Sequence, residues 1–438
     1  MRVALIGPVS PQLGGATPGG VATHQVHLAA GLAAAGVYAP LLATNTRTRP
    51  GAARADAAEP VFPFPLYRMG RPGRARGQYL VAVGPQRAAW YALNLALASH
   101  DGSRREVLAN LLWYRRFLDQ VRPDLIHVQH PLERSAYARR VLRLEGWKLP
   151  LVVTAHSLFG EHSESTIEQV MAPNLRAADW VIAVSPHIAD QAMQLGVESR
   201  RLTVIRSGVD VEHFRPRGED RAAARHRLGI SSDAGVVLFV GNLEPRKQVD
   251  VLLRAMARVR EEAAGATLIV VGSGHSAGAQ DQTANLMRLA HELGLLASDA
   301  VRFVGRIEDE QLLDYYAAAD VFALPSSSEA QGIVALEAMA CGLPVVASAV
   351  GGLLGTIEDG TSGFLVPFGE VPALADRLTT LLLNDTQRRA IGAAAREAVE
   401  REFSWARTVE ATLGVSRDCL EGRPKSLLPR SRPSRQSV

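Results

Sequence analysis

Short, continuously apolar, β-branched runs alternate along this chain with stretches of helical character, and that alternation limits the fold more than any other feature. In the first half the runs are RVALIG, DLIHV, LPLVVTA, WVIAV and LTVIR; in the second they are VVLFVG, ATLIVVG, VRFVG, VFALP and LPVVAS. Segments such as 22–35, 249–264 and 309–319 lie between them and read as helices. A strand that is apolar on both faces must be covered on both faces, so the pattern predicts parallel sheets packed between helices. The rhythm breaks at SGVDVEHFRPR, residues 207–217, which is turn-rich and precedes a charged helical stretch. The chain therefore reads as α/β with two Rossmann-like domains facing each other across a cleft: an N-terminal one over 1–206, a linker at 207–217 and a C-terminal one over 218–402. A further helix over 403–421 and a basic, Pro/Ser-rich, disordered tail over 422–438 complete the expectation.

Composition excludes several function classes. A hydrophobic content of 47% with 21% charged residues is that of an ordinary globular protein. A net charge of +4 is too weak to point to nucleic acid and suits either plain solubility or a small anionic ligand. The two cysteines, Cys341 and Cys419, form no disulfide framework or zinc spacing, so a reducing, cytoplasmic setting is expected. The opening Met-Arg-Val-Ala-Leu-Ile-Gly-Pro reads as a first buried strand rather than a leader, and no run approaches the ~20 apolar residues of a membrane span. Residues 44–77, rich in Arg, Pro, Gly and Ala, read as a loop, either a lid or decoration. Its Arg68, Arg71, Arg74 and Arg76 fit a solvated loop or a peripheral contact with anionic lipid at the inner face of a membrane. Trp90, Tyr91, Trp113, Tyr114 and Phe117, within helices over 85–118, read as core.

Parallel α/β sheets bind ligands at the carboxyl ends of their strands, and the informative polar residues fall there. Gly14, Gly15, Gly19 and Gly20 follow the first strand and precede a helix beginning near Val21. They read as a plain loop or as a place where backbone approaches an anion. His156 stands just past a strand, with a structural or a functional role open; His127 and His130 end another. No third ligand with recognisable spacing accompanies them, so no metal site is expected. In VGNLEPRKQVDVLLRAM, Arg246 and Lys247 read as opening a helix, where cations oppose the helix dipole unless an anion such as a diphosphate sits there. A solvated basic turn is the other reading.

The stretch SSSEAQGIVALEAMACGLPVVAS holds two carboxylates, Glu329 and Glu337, with seven residues between them. Gly332 leads into a helix whose first amides, at Ile333 and Val334, face an anion in this reading. Glu337, about a turn later, suits a vicinal diol such as a ribose, and Glu329 the group beyond the phosphates; surface salt bridges are the alternative. No Asp-x-Asp occurs anywhere in the chain.

At these residues the chain resembles glycosyltransferase family 4, the retaining GT-B enzymes. EAQGIVALEAMACGLPVVAS is similar to that family's E-x7-E signature. The likeness extends over about residues 1–410, through the glycine loop before Val21, Thr-Ala-His at His156, Ser-Gly-Val-Asp at 207–210 and Gly-Asn-Leu-Glu-Pro-Arg-Lys at 241–247. It implies an acceptor-binding first domain and a second domain that holds a nucleotide-diphosphate sugar as co-substrate. By that likeness Glu337 binds the ribose, and Arg246 and Lys247 hold the diphosphate and stabilise it as it leaves. Glu329 and His156 contact the donor sugar, and Gly19 and Gly20 approach the phosphates or the acceptor. The last helix crosses back to the first domain. The implied acceptor carries a hydroxyl, on a glycan, a lipid-linked molecule or a small molecule; with no Asp-x-Asp in the chain and Arg246 and Lys247 able to substitute, no metal and no other bound cofactor is expected. Gln331 stands where the family usually has an aromatic, Arg206-Ser207 where Pro-Asn is common, Leu354-Gly355 where Pro-Glu is frequent, and Val-Gln-His follows His127 in place of a close His-x-His. A sugar-nucleotide epimerase of the same fold and a non-catalytic sugar-nucleotide-binding protein are the competing readings.

Overall fold

The structure, a computed structural model, describes residues 1–9, 20–44, 64–68, 104–160, 162–216, 221–274, 282–297 and 300–422. The described residues separate into two compact units, one of 1–205 with the chain from Thr408 onward, the other of Arg206–Arg407.

In the first unit, β1 (Val3–Gly7), β2 (Leu41–Ala43), β3 (Leu66–Arg68), β4 (Leu125–Gln129), β5 (Leu151–Ala155), β6 (Trp180–Ala183) and β7 (Leu202–Val204) form one parallel sheet. Their order is β3-β2-β1-β4-β5-β6-β7. Every residue of β1, β4 and β5 is buried, as strands covered on both faces require. The order reverses between β1 and β4, which makes their carboxyl ends the topological switch point. The helix Gly20–Ala34 follows β1, and the helix Trp405–Leu420 returns Val409, Leu413 and Val415 to the same core as Val3 and Leu5.

In the second unit, β8 (Val236–Val240), β9 (Thr267–Val271), β10 (Val301–Gly305), β11 (Val321–Leu324), β12 (Val345–Ser348) and β13 (Gly363–Val366) are again all parallel, in the order β10-β9-β8-β11-β12-β13. The switch point falls between β8 and β11. At the far end of β11, buried Asp320 accepts from Arg225 at 2.8 Å and from the Val236 N–H at 2.8 Å, and Arg221 and Arg388 also pair with it. That cluster anchors the amino ends of β8 and β11, away from the ligand end.

All ten apolar runs are strands. Three further strands, β2, β3 and β13, each three or four residues long, do not stand out in the sequence. The segment 44–77 is not all loop: Leu66–Arg68 pairs in register with β2, which puts Arg68 in a strand. The rest of that segment that bears on the reading, including Arg71, Arg74 and Arg76, lies outside the described residues, as do Gly14, Gly15, Gly19, Trp90, Tyr91 and the tail beyond 422. Trp113, Tyr114 and Phe117 are buried in the helix Arg104–Val121, as core residues should be. Residues 207–216 cluster with the second unit, because the Gln331 side-chain amide grips Ser207: its oxygen accepts from the Ser207 N–H at 2.8 Å and its nitrogen donates to the Ser207 carbonyl at 2.9 Å.

Candidate active site

Two constellations of polar side chains stand at the two switch points. In the second unit, β8 runs into a tight turn, Pro245–Lys247, of 3-10 geometry. Gln248 follows with a left-handed φ of 49°, and only then does the helix Val249–Glu262 begin. Arg246 and Lys247 therefore do not open that helix; its first turn carries Asp250. The dipole conflict expected from the sequence is absent because both cations precede that helix, and both have carboxylate partners. Arg246 Nε donates to Glu244 Oε2 at 3.0 Å, and Asn242 Nδ2 donates to Glu244 Oε1 at 3.2 Å.

Lys247 is 7% exposed and its Nζ lies 2.5 Å from Glu329 Oε1, which also accepts from the Ser326 hydroxyl at 2.8 Å. Burial alone would raise the Glu329 pKa, but the Lys247 charge and its hydrogen bond, with Arg246 and Ser326 adding to them, hold it below the usual carboxylate range. The loop after β11 is also tied to the cationic turn through backbone: the Arg246 carbonyl accepts from the Ser327 N–H at 2.7 Å and from its hydroxyl at 3.2 Å. So the switch point holds an ion pair whose partners come from the ends of β8 and β11.

The same loop continues into the helix Ile333–Ala340 through Gly332, at a left-handed φ of 83°. A Cβ there would also stand 2.6 Å from Leu353 Cδ2, so a larger residue would have to strain the backbone and displace that side chain. Gly352 is required by contact rather than conformation: a Cβ would fall 1.9 Å from the Ala330 carbonyl oxygen, and the Gly352 N–H donates to the Glu329 carbonyl at 2.8 Å. The N–H groups of Ile333 and Val334 are in the first turn, where helical amides have no partner within the helix. Glu337 accepts at Oε2 from the Tyr316 hydroxyl at 2.9 Å. Tyr316 is buried, and burial, then the Glu337 charge, push its pKa well up, so it stays protonated and donates.

The first unit answers with neutral groups. His127, Gln129 and His130 end or follow β4, His156 follows β5, and His24 projects from the helix Gly20–Ala34; all five are buried. Gln129 Oε1 is 2.7 Å from His156 Nε2, and Gln129 Nε2 is 3.4 Å from His127 Nε2, which also bonds Thr154 Oγ1 at 2.7 Å. His130 Nε2 is 3.1 Å from His162 Nε2, and Ser157 Oγ is 3.4 Å from the same atom. Desolvation lowers His127 to about 4 and, with His162 and Arg134 adding repulsion, His130 to about 3. Burial first and neighbouring histidines second also hold His24 and His156 well below the ordinary value. His130 keeps a left-handed φ of 85°, held by its N–H on the Thr154 carbonyl at 2.8 Å and by its carbonyl on the Ser135 hydroxyl at 3.0 Å.

The structure thus joins Lys247 to Glu329 and makes Gly332, Ile333, Val334 and Glu337 continuous with them. His156 and Gly20 belong to the first unit, and Gly19 lies outside the described residues. Sequence reasoning missed Tyr316, Ser326, Gln129 and His24. Only Gln129 carried a signal, as the departure from His-x-His. Among the described residues no group of three or more His, Cys, Asp or Glu side chains is placed to hold a metal ion, and no helix is long and apolar enough to cross a membrane.

Comparison with known proteins matches these two halves separately. A family model described as Glycosyltransferase Family 4 covers residues 18–213, and one described as Glycosyl transferases group 1 covers residues 220–398. The D-inositol 3-phosphate glycosyltransferase of Saccharomonospora viridis is 38% identical over 315 residues, spanning 68% of this chain and 70% of that protein. Sucrose-phosphate synthase from Thermosynechococcus elongatus has a TM-score of 0.75 and 27% identity, covering 96% of this chain and 99% of that one. Anabaena HepE, solved in complex with UDP-glucose, shares the fold at a TM-score of 0.71 and 21% identity, over 95% of this chain and 100% of its own. With the carboxylate–cation loop at one switch point, parallel sheets in both units and a close relative covered over most of its length, the chain belongs to the family 4 glycosyltransferases of the GT-B fold.

Proposed function

We propose that the chain moves a sugar from a nucleotide-diphosphate sugar to a hydroxyl with retention at the anomeric carbon and without a metal ion. The second domain takes the donor and the first the acceptor. The observation that carries this reading is the buried Lys247–Glu329 pair at the β8/β11 switch point, with Arg246 in the same turn and the Gly332–Val334 helix start beside Glu329. Arg246, Lys247 and the helix amides supply fixed positive potential where charge grows on a departing diphosphate, and preplaced stabilisation of that kind is usually the largest catalytic term. Both described bonds of the Glu329 carboxylate fall on Oε1, so Oε2 is the oxygen assigned to a sugar hydroxyl. Glu337, oriented by Tyr316, takes the ribose diol.

In this mechanism the bond from the anomeric carbon to the phosphate oxygen breaks through an oxocarbenium-like state. The acceptor oxygen bonds to the same face and its proton passes to a leaving phosphate oxygen. The two cations do the work that a metal held by Asp-x-Asp does elsewhere. The relatives' names suggest the donor and acceptor classes to try first: uridine diphosphate sugars, as in the HepE complex, and a polyol or its phosphate, as in the inositol 3-phosphate transferases. The test is a thermal-shift panel of nucleotide sugars, followed by NMR of the product's anomeric configuration. A donor at a hundred times its Kd adds about 2.7 kcal/mol of stability. An inverted product, a requirement for divalent metal, or an epimer formed from donor alone would each overturn part of the reading.

A further inference from the structure

We infer that Gln129 is a positioning residue that fixes His156 in its Nε2–H tautomer and leaves the Nδ1 lone pair as the ring's hydrogen-bond acceptor. The tautomer assignment follows from the orientation of the Gln129 amide, with Oε1 toward His156 and Nε2 toward His127; its catalytic consequence rests on the function proposed above, in which His156 contacts the sugar.

Gln129 ends β4 and His156 follows β5, strands paired side by side with Gln129 opposite Thr154. The Gln129 side chain has no exposed surface and His156 is 8% exposed, so neither group exchanges its partner for bulk water without cost. The amide has two different ends. Its NH2 is directed at His127 Nε2, 3.4 Å away, and its carbonyl Oε1 at His156 Nε2, 2.7 Å away. A carbonyl oxygen accepts and never donates, so the proton of that short bond sits on His156 Nε2. Burial, then repulsion from His130 and His127, keeps the ring neutral, so it carries one proton only. Nδ1 then carries no proton and is the ring's acceptor nitrogen. The groups around the ring do not disturb this: His24 meets it edge-on at 4.6 Å between ring centres and His130 at 6.3 Å, and both are held neutral.

A histidine at position 129 could present either a donor or an acceptor and would titrate. An amide does neither, so in this chain the tautomer is set independently of pH. His156 therefore accepts from a substrate hydroxyl rather than donating to one.

The full chain labelled with 15N-histidine, studied by long-range 15N–1H NMR near neutral pH, tests this without substrate. His156 is assigned by the signals lost in His156→Asn. The expected pattern is a protonated-type Nε2 and an unprotonated-type Nδ1. The Nδ1–H tautomer in the unmodified protein overturns the inference, whatever the variants do. Gln129→Leu should give a mixture of tautomers and lower kcat about tenfold with little change in donor KM. Gln129→Glu, which still accepts, should keep the Nε2–H form and raise the His156 pKa, adding an acid limb to the pH–rate profile. An unchanged tautomer in Gln129→Leu, or no new limb in Gln129→Glu, also counts against it. If no nucleotide sugar is consumed but the NMR pattern holds, the proposed function fails and the tautomer assignment survives.

Discussion

The two switch points solve the same problem in opposite ways. Each sheet reverses strand order beside its first strand, and each places polar side chains at the carboxyl ends there. The second unit fills its end with opposed charges, Lys247 on Glu329 and Arg246 on Glu244. The first fills its end with imidazoles that burial keeps uncharged. Charge is costly to bury unless paired, and the pairing is found where a diphosphate is proposed to arrive. Neutral imidazoles, each with one donor and one acceptor, suit hydroxyl groups. On the function proposed above, one architecture accommodates an anion and an alcohol by changing the side chains at the carboxyl ends of its strands and on the elements beside them.

The largest expected effect separates the charge pair's two roles. Lys247→Ala should cut turnover a hundredfold or more, on the order expected for losing one preplaced stabiliser of a leaving group. It should also cost about 3–5 kcal/mol of stability, because Glu329 is left buried and unpaired. The paired replacement Lys247→Met with Glu329→Gln should recover most of the melting temperature and none of the turnover. If turnover returns with stability, the pair is structural and the contrast between the units loses its functional half.

Glu337→Ala comes next. Loss of a charged hydrogen bond is worth about 1.5–3 kcal/mol, so nucleotide affinity by calorimetry should weaken roughly 10- to 100-fold. Unaltered affinity removes the ribose assignment. Acid unfolding then tests the comparison directly. The folded-state pKa values of His127 and His130 lie below the unfolded one, so protonation favours unfolding. Their stabilising contribution is complete above pH about 6.5 and is lost as pH falls toward about 4 and about 3. Glu329 is depressed from the carboxylate range, so its contribution is complete above pH about 4.3 and is lost only below that. Hydrogen exchange between pH 7 and about 5 should therefore show the first unit weakening while the second holds; parallel weakening breaks the distinction. The smallest effect is Tyr316→Phe, which should reduce nucleotide affinity a few-fold by loosening Glu337, about 1 kcal/mol.

The strand runs were legible because burial on both faces removes polar residues from a strand altogether, and ten such runs suffice to fix two parallel sheets. Leu41–Ala43 escaped because three apolar residues alone do not differ from the end of a helix, whereas Leu202–Val204, just as short, lies within the longer run LTVIR. At the site, Glu329, Lys247 and Glu337 were legible because a charge beside an apolar run needs a partner. What that partner is depends on three-dimensional pairing that no local pattern encodes. Lys247 meets Glu329 across 82 positions of chain, and Tyr316 reaches Glu337 from a neighbouring helix. The reading of Arg246 and Lys247 as opening a helix failed on one residue, Gln248, whose left-handed conformation ends one turn before the next helix begins.

The helix Trp405–Leu420 has a consequence for how the chain is made. Val409, Leu413 and Val415 belong to the core that holds Val3 and Leu5, and Val409 fills the space left by the missing side chain of Gly31. Those residues leave the ribosome only after the whole of the second unit. During translation the second unit can finish its own core while the first waits, with a groove of apolar surface open until the final helix emerges. Completion of the amino-terminal core therefore waits on a helix that is synthesised after the second unit.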